Sequence, residues 1–318
     1  MEQGKSTEHG REIVLRKRRR LKYIAVLPAT VTLINAVCGF LSIAFASRGL
    51  QVFLQVSRFR RADLSFLALA GYMIIFAMIA DMLDGQVARW SGAASSFGGQ
   101  LDSLSDVISF GIAPAFLMLK VMEAALGVEV FSWRVSSAGE ASLSWRLWLI
   151  AQAGRWLLFI ALFYVLCAVI RLARFNVEND TDDAAHKSFA GLPSPAAAGV
   201  VVSLIIFREN FLPRISERLP ALYEFLMGLT MWLLPLAALA SGVLMVTRIY
   251  YPHAANRLFT GKKTFAPFVL LVFMCLLVVW NIQLGMVLCF WGFAIYGLGR
   301  ALIGWIKNYR TKVRAKTV

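Results

Sequence analysis

The sequence predicts an all-α integral membrane protein, a polytopic helical bundle with about eight transmembrane helices. Two features of the composition support this prediction: 59% of the 318 residues are hydrophobic, and only 16% are charged. A soluble domain of this length would carry about 25% charged residues. In addition, apolar stretches of about 20 residues, long enough to cross a bilayer, recur along the chain. Because they are continuous rather than alternating, they favour helices over a β-barrel.

Eight apolar segments are candidate spans, at 27–46, 64–89, 101–122, 147–174, 190–211, 222–248, 265–281 and 283–306. The break between the last two rests on Asn281, Gln283 and Gly285, so seven spans remain possible. The first span follows a basic head and ends in AFA at 44–46, which imitates a signal peptide with its cleavage site. Its apolar run of about 20 residues is long for a signal peptide, and this favours a retained span.

The spans divide the chain into four parts. These are a basic cytoplasmic N-terminal segment at 1–26, a membrane domain at 27–255, additional C-terminal transmembrane helices at 256–306 and a basic cytoplasmic tail at 307–318. The connecting segments at 48–63 and 121–146 are long, and the sequence assigns them no role beyond an amphipathic pattern in the first, which suits the outer membrane surface.

The basic residues predict the orientation. There are 33 Lys and Arg against 18 Asp and Glu, and most of the basic residues share one side of the membrane with both termini. The positive-inside rule makes that side the cytoplasm of a cell (inner) membrane. The excess charge also suits anionic membrane lipids, and without an RNP motif or zinc finger we expect no nucleic acid as a partner. Four cysteines in apolar runs and three histidines disfavour a disulfide framework, a zinc site or a Ser-His-Asp triad.

Four aspartates lie at the facing ends of the second and third predicted spans: Asp81, Asp84, Asp102 and Asp106. The predicted orientation puts all four on the cytoplasmic side, where the loop at 90–99 closes a tight helical hairpin. At about 100° per residue, Asp102 and Asp106 stack on one face of their helix, and Asp84 stays near the face of Asp81. The sequence therefore predicts two pairs of carboxylates that face each other.

Carboxylates in this setting need compensation. Each one near mid-bilayer costs about 2.5–3.5 kcal/mol on insertion scales, and four together repel one another. A hard divalent cation, Mg²⁺, Mn²⁺ or Ca²⁺, solves both problems, and such a site can hold a phosphate and stabilise a leaving phosphate. The plainer interpretation has Asp102 capping a helix and Asp81 pairing with Arg89, but four aspartates at this spacing favour a metal site.

A divalent-cation transporter is the alternative from another class. It predicts that carboxylates continue across the bilayer as a pathway. Spans five to eight contain no aspartate, and their glutamates, Glu209 and Glu224, lie at predicted span edges. This pattern favours an enzyme over a transporter.

The aspartates also belong to a longer motif. The pattern Asp81-x-x-Asp84-Gly85-x-x-Ala88-Arg89, eight residues, then Gly98-x-x-x-Asp102-x-x-x-Asp106 resembles the signature of the CDP-alcohol phosphotransferases at every fixed position. That family transfers a phosphoalcohol from a CDP-alcohol to a second alcohol and releases CMP. The resemblance implies that the first three aspartates bind metal, with two Mg²⁺ or Mn²⁺ ions per site. It also implies that Asp106 helps to hold a metal and acts as the catalytic base.

Further stretches resemble the phosphatidylserine synthase branch of that family, and the resemblance covers roughly residues 24–255. They are LPATVTLINAVCGFLSIAFA at 27–46, LDSLSDVISFGIAPA at 101–115, RLARFNVE at 171–178, FAGLPSPAAAG at 189–199 and LMVTRIYYP at 244–252. Ala29 departs from the branch, which usually carries Asn there, whereas Thr32 and Asn35 match. The resemblance implies a CDP-alcohol pocket formed by Thr32, Gly85, Ala88, Arg89 and Gly98. It also suggests a homodimer, with CDP-diacylglycerol and L-serine as substrates.

The acceptor alcohol is the least specified part of the prediction. Serine carries a carboxylate, which needs a fixed cation near Asp106. Candidates for serine binding are Arg171, Arg174, Asn176 and Ser194, although both arginines also suit simple positive-inside anchoring. Choline would instead need an aromatic cage, for which Tyr250, Tyr251 and Phe189 are available, and glycerol 3-phosphate would also need basic residues. Both acceptors stay open as alternatives.

Overall fold

The computed structural model describes residues 29–47, 65–91, 96–126, 144–181, 191–247 and 281–314. Within these ranges every regular element is helical. The α-helices are α1 (Ala29–Ser47), α2 (Phe66–Ser91), α3 (Ser96–Asp106), α4 (Ala113–Leu126), α5 (Ser144–Thr181), α6 (Ser194–Ile206), α7 (Leu212–Ile215), α8 (Pro220–Val246) and α9 (Ile282–Arg314). Two π-helical turns, Val107–Ile112 and Phe207–Phe211, join α3 to α4 and α6 to α7 without a break.

Seven helical segments in the described part of the chain are long and apolar enough to cross a membrane. They confirm the predicted all-α polytopic membrane architecture. The predicted span at 265–281, the basic head at 1–26 and the segment at 48–63 lie outside the described residues. The last helix begins after Asn281, whose side-chain oxygen accepts the Leu284 N–H at 3.2 Å, close to the predicted start at 283.

Several predicted boundaries differ from the structure, because hydropathy marks the membrane core and not the ends of helices. The third span was expected to begin at 101, but α3 already begins at Ser96, so the loop of the hairpin is shorter than 90–99. Similarly, α5 has 38 residues and extends beyond the predicted 147–174 at both ends. At about 1.5 Å per residue, it is longer than the bilayer is thick.

Helix α6 lies at the centre of the bundle, where 11 of its 13 residues are buried. It contacts α2, α8 and α9, and small residues let these neighbours approach closely. A Cβ atom at Gly199 would lie 2.2 Å from the Phe290 ring, and one at Gly71 would lie 2.7 Å from the Ile206 side chain. These close contacts fix α2, which carries two of the four aspartates, against the core.

The sequence GLPSP at 191–195 forms the turn that leads into α6. Gly191 has a φ of 96°, and a Cβ there would lie 2.4 Å from the Met245 carbonyl oxygen, so the position favours glycine. The Leu192 N–H donates to the Leu244 carbonyl at 3.0 Å, which ties the turn to the end of α8. Pro193 then precedes the helix, which starts at Ser194. The turn therefore holds Ser194 at the same end of the bundle as the aspartates.

Candidate active site

The hairpin of α2 and α3 brings three of the four aspartates together. Asp81, Asp102 and Asp106 each offer a carboxylate oxygen, and these oxygens lie within 4.8 Å of one another. Asp106 is 8% exposed, whereas Asp81 and Asp102 are half-buried. The predicted meeting of the two aspartate pairs is thus realised by residues from both helices.

Asp84 is one turn from Asp81 on α2 and has a different partner. Its carboxylate accepts a hydrogen bond from the Thr32 hydroxyl on α1, and its side chain is buried. Asp84 still lies within electrostatic range of Asp81 and Asp102. Thr32, which the resemblance assigned to the nucleotide pocket, therefore also anchors α1 to the aspartate hairpin.

Asn35, one turn after Thr32, holds the carboxylate of Asp106. Its side-chain N–H donates to Asp106 Oδ1 at 3.1 Å, and Asn35 is fully buried. The sequence matched Asn35 to the branch but gave it no contact with an aspartate. Its position three residues from Thr32, on the same side of α1, is the sequence signal from which this contact could have been inferred.

The π-helical turn after Asp106 locks α1 against this end of the bundle. Ser109 donates to the Asn35 carbonyl at 2.8 Å, and a Cβ at Gly39 would lie 2.5 Å from Ser109 Oγ. The Phe110 carbonyl accepts a hydrogen bond from the Tyr164 hydroxyl of α5 at 3.0 Å. Wide helical turns of this kind occur frequently at functional sites, where they change which side chains face inward.

Arg171 extends from α5 towards the aspartates. It is half-buried, it donates a hydrogen bond to the Ser194 hydroxyl, and its charge lies within electrostatic range of Asp81 and Asp106. Two of the four predicted serine-binding residues therefore contact each other. The arrangement provides a positively charged group, oriented by a buried hydroxyl, beside the carboxylate cluster.

The other two predicted serine-binding residues have different surroundings. Asn176 exchanges hydrogen bonds with Ser103 on α3 at 2.9–3.0 Å, so it links α5 to the aspartate-bearing helix. The Arg174 guanidinium donates to the Val246 carbonyl at 3.4 Å, at the end of α8. Both residues brace the helices around Arg171.

The small residues of the motif leave room beside the carboxylates. A Cβ added at Gly85 would meet no atom within 4 Å, and Gly98 is half-buried in the first turn of α3. Ala88 and Arg89 lie in the last turns of α2, where the side chains are outside the described residues. The aromatic candidates for a choline cage, Phe189, Tyr250 and Tyr251, also lie outside them.

The aspartate cluster has the chemistry of a site for divalent metal. Ligands around Mg²⁺, at about 2.0–2.1 Å from the ion, lie about 3–4 Å apart, which is compatible with oxygens that lie within 4.8 Å. The cluster offers only oxygen ligands, the type that Mg²⁺ and Mn²⁺ prefer. In addition, Asn35 Oδ1 is buried and has no hydrogen-bond partner among the described residues. It is therefore a further oxygen that could bind a cation or accept a hydrogen bond.

The two carboxylates that are largely buried at the other end of the bundle, Glu123 and Glu209, each lie beside a cation. Buried Glu123 pairs with Lys120 at 2.6 Å, and Glu209 lies 3.5 Å from Arg208 Nε. The expectation that Glu209 lies at the edge of its span is wrong, because the π-helical turn continues the helix beyond residue 211 to Ile215. Compensated carboxylates do not form a pathway for cations, and this disfavours the transporter alternative.

Comparisons with known proteins agree with this site. The family model of CDP-alcohol phosphatidyltransferase matches residues 25–241. A CDP-diacylglycerol–serine O-phosphatidyltransferase of Methanocaldococcus jannaschii is 27% identical over 284 residues, which are 89% of this chain and 98% of that protein. The protein of that name from Helicobacter pylori is 32% identical over 185 residues, 58% of this chain and 61% of the relative. An archaetidylserine synthase of Methanothermobacter thermautotrophicus is 29% identical over 237 residues, 74% of this chain and 73% of the relative.

The family match includes every residue of the aspartate motif and the helices α1, α2 and α5 that surround it. It also covers more than half of the chain, so the agreement is not confined to one short motif. On these grounds the chain belongs to the CDP-alcohol phosphatidyltransferase family.

Proposed function

We propose that this protein transfers a phosphatidyl group from CDP-diacylglycerol to the hydroxyl of L-serine, giving phosphatidylserine and CMP. The observation that carries the proposal is the cluster of Asp81, Asp102 and Asp106 with the charge of Arg171 beside it. A carboxylate cluster suits a metal-bound diphosphate, and a guanidinium suits the carboxylate of an amino-acid acceptor. The names of the relatives, which specify serine, support the same acceptor.

In this proposal the reaction is a direct displacement at phosphorus. The serine oxygen forms a new P–O bond to the phosphorus that bears diacylglycerol, the bond from that phosphorus to CMP breaks, and Asp106 takes the serine hydroxyl proton. A carboxylate within hydrogen-bond reach is needed because an alcohol is a poor nucleophile. Asn35 binds Oδ1 of Asp106, and this contact orients the carboxylate so that Oδ2 can receive the proton.

Asp81, Asp84, Asp102 and Asp106 would hold the metal, which we propose to be two Mg²⁺ or Mn²⁺ ions. When bound, these ions supply positive charge against the diphosphate and the leaving CMP. Thr32 keeps Asp84 in place by its hydrogen bond, and Gly85 leaves open space beside the carboxylates for the nucleotide. Ala88, Arg89 and Gly98 complete the CDP-alcohol pocket in this proposal.

Specificity for serine would come from the group around Arg171. Its hydrogen bond with Ser194 fixes the guanidinium near Asp106, so the serine carboxylate and hydroxyl can be bound at once. Asn176 and Arg174 hold α5 against α3 and α8 and thereby keep Arg171 at the correct distance. A choline acceptor has no use for this cation, because like charges repel.

We also propose that the site and both termini lie on the cytoplasmic side of the cell (inner) membrane, and that the protein forms a homodimer. The excess of basic residues on that side supports the orientation. The diacylglycerol tails would then lie between helices in the cytoplasmic leaflet. Cross-linking of the protein in membranes tests the dimer independently of activity.

The decisive experiment is a panel of acceptors. Purified protein is given CDP-diacylglycerol and Mn²⁺ or Mg²⁺ together with L-serine, choline or glycerol 3-phosphate, and CMP release is measured. We expect CMP only with serine. Release with choline or glycerol 3-phosphate alone would contradict the acceptor but keep the reaction class, and no release with any alcohol from monodisperse protein would contradict the reaction itself.

A further inference from the structure

A second polar cluster lies at the end of the bundle opposite to the aspartates. We call it the Arg208 cluster, and it consists of Tyr72, Arg208, Glu209, Asn210, Arg214 and Gln283. Its residues come from the first half of α2, from the π-helical turn Phe207–Phe211 with α7, and from the start of α9. Arg208 is 14 residues after Ser194, which at about 1.5 Å per residue is about 21 Å along the helix. The cluster therefore takes no part in the proposed reaction.

Arg208 is the unusual member of this cluster. It is 7% exposed, and its Nε and Nη1 are buried without a hydrogen-bond partner in the described part of the chain. The nearest carboxylate oxygen, Glu209 Oε1, lies 3.5 Å from Nε. A buried charged donor without an acceptor is strongly unfavourable, so Arg208 needs a further acceptor.

The described neighbours of Arg208 do not supply that acceptor. Glu209 also accepts a hydrogen bond from Ser65 at 3.3 Å, and the Asn210 side-chain oxygen accepts one from Arg214 at 3.1 Å. The Tyr72 hydroxyl already accepts hydrogen bonds from Asn210 and Gln283, each at 3.2 Å. The cluster thus has two guanidinium groups against one carboxylate, and the acceptor atoms of Glu209, Asn210 and Tyr72 named here already accept hydrogen bonds.

We propose that the Arg208 cluster binds the phosphate group of an anionic phospholipid in the leaflet opposite to the aspartates. A phosphate oxygen provides the missing acceptor and the missing negative charge, and the guanidinium is the group best suited to bind it. Basic pockets between transmembrane helices are known to hold lipid headgroups. Arg208 lies seven residues, about 10 Å, before the end of the span at Ile215.

The apolar surroundings agree with a lipid. Phe207 and Phe211 lie on the same π-helical turn with their rings stacked at 4.9 Å, and both are half-buried. They offer apolar surface to acyl chains beside the charged group. Free inorganic phosphate shares the headgroup chemistry but gains nothing from this surface.

The test compares lipids on the full-length protein after it has been purified and delipidated. Short-chain phosphatidylglycerol, short-chain phosphatidylcholine and inorganic phosphate are titrated separately, and the thermal unfolding midpoint is measured. We expect phosphatidylglycerol to raise the midpoint and the other two to have little effect. In Arg208→Gln the apparent affinity for phosphatidylglycerol should fall about tenfold or more.

Arg218→Gln is the matched control, because Arg218 is exposed at the same end of the bundle and loses the same charge. It should respond to phosphatidylglycerol as the wild type does, and both variants should release CMP normally.

Equal effects of the two lipids on the wild type, or a normal response of Arg208→Gln, would overturn the proposal. An equal effect of inorganic phosphate would overturn the lipid as its source. If Arg208→Gln does not fold, native mass spectrometry of the wild type decides: retained phosphatidylglycerol over phosphatidylcholine supports the site, and no preference overturns it. Neither result bears on the proposed reaction, because that reaction is tested separately by CMP release from the wild type.

Discussion

The aspartate cluster and the Arg208 cluster lie at opposite ends of one bundle and share a backbone feature. Asp106 directly precedes the π-helical turn Val107–Ile112, and Arg208 lies inside the turn Phe207–Phe211. Their charges are opposite: three carboxylates lie together at one end, whereas the Arg208 cluster holds two guanidinium groups and one carboxylate, and only Arg208 lies beside that carboxylate. The ligands that we propose for the two clusters therefore have opposite charges, although both clusters lie at the same kind of helical turn.

The two clusters also differ in how far apart their residues lie in the sequence. The aspartates lie within 26 residues of sequence, so their spacing alone brings them together in a hairpin. The Arg208 cluster joins residues 72, 208 and 283 from three distant helices, and only the packing of α6 against α2 and α9 assembles it. Loss of a carboxylate should therefore affect chemistry first, and changes at the other end should leave chemistry intact.

The largest effect is expected from Asp106→Asn. The amide keeps the shape of the side chain but cannot accept the serine proton, so CMP release should fall about 10²–10⁴-fold. The matched control is Glu217→Gln, which makes the same chemical change at an exposed site near the opposite end. Wild-type turnover by Asp106→Asn would remove this residue from the role of base.

The next largest effect is expected on Mn²⁺ affinity, which should depend on the aspartate cluster and not on the Arg208 cluster. Asp81→Asn or Asp102→Asn should weaken Mn²⁺ binding, followed by electron paramagnetic resonance, by about tenfold or more, because each removes an oxygen ligand. Glu209→Gln, which removes a carboxylate from the Arg208 cluster, should leave Mn²⁺ binding unchanged. If the wild type binds no Mn²⁺ with or without CDP-diacylglycerol, the metal site itself is wrong.

Arg171→Gln should change the KM for serine more than it changes kcat. Loss of a charge-assisted hydrogen bond of about 1.5–3 kcal/mol corresponds to roughly a 10–100-fold higher KM for serine. Arg171→Lys keeps the charge but loses the planar fork, so its KM should be intermediate. Arg155→Gln, at an exposed position on the same helix, is the control and should change neither constant. An unchanged KM in Arg171→Gln would assign Arg171 to anchoring alone.

These comparisons also show what could be predicted from the sequence. Apolar runs located the described spans to within a few residues, and a local motif located the aspartates. Partners that are distant in the chain were not predictable, because the contacts of Asn35 with Asp106 and of Arg171 with Ser194 depend on how α1, α5 and α6 pack. Some helix ends were not predicted for another reason: the sequence SFGGQ at 96–100 is not apolar enough to extend a predicted span, although it forms the first turns of α3.

The smallest effect, and the most selective, is expected from Gly85→Ala. A Cβ at Gly85 meets no protein atom within 4 Å, so the variant should fold normally, and alanine should even stabilise the helix by about 0.5–1 kcal/mol. Gly228 on α8 is the matched control, since a Cβ there also meets nothing. Both variants should therefore unfold at the same or slightly higher temperature. If the nucleotide approaches α2 at Gly85, only Gly85→Ala should raise the KM for CDP-diacylglycerol, by roughly fivefold, because its methyl group occupies space that the substrate needs. Equal KM values in the two variants would mean that the open space at Gly85 faces lipid rather than the substrate.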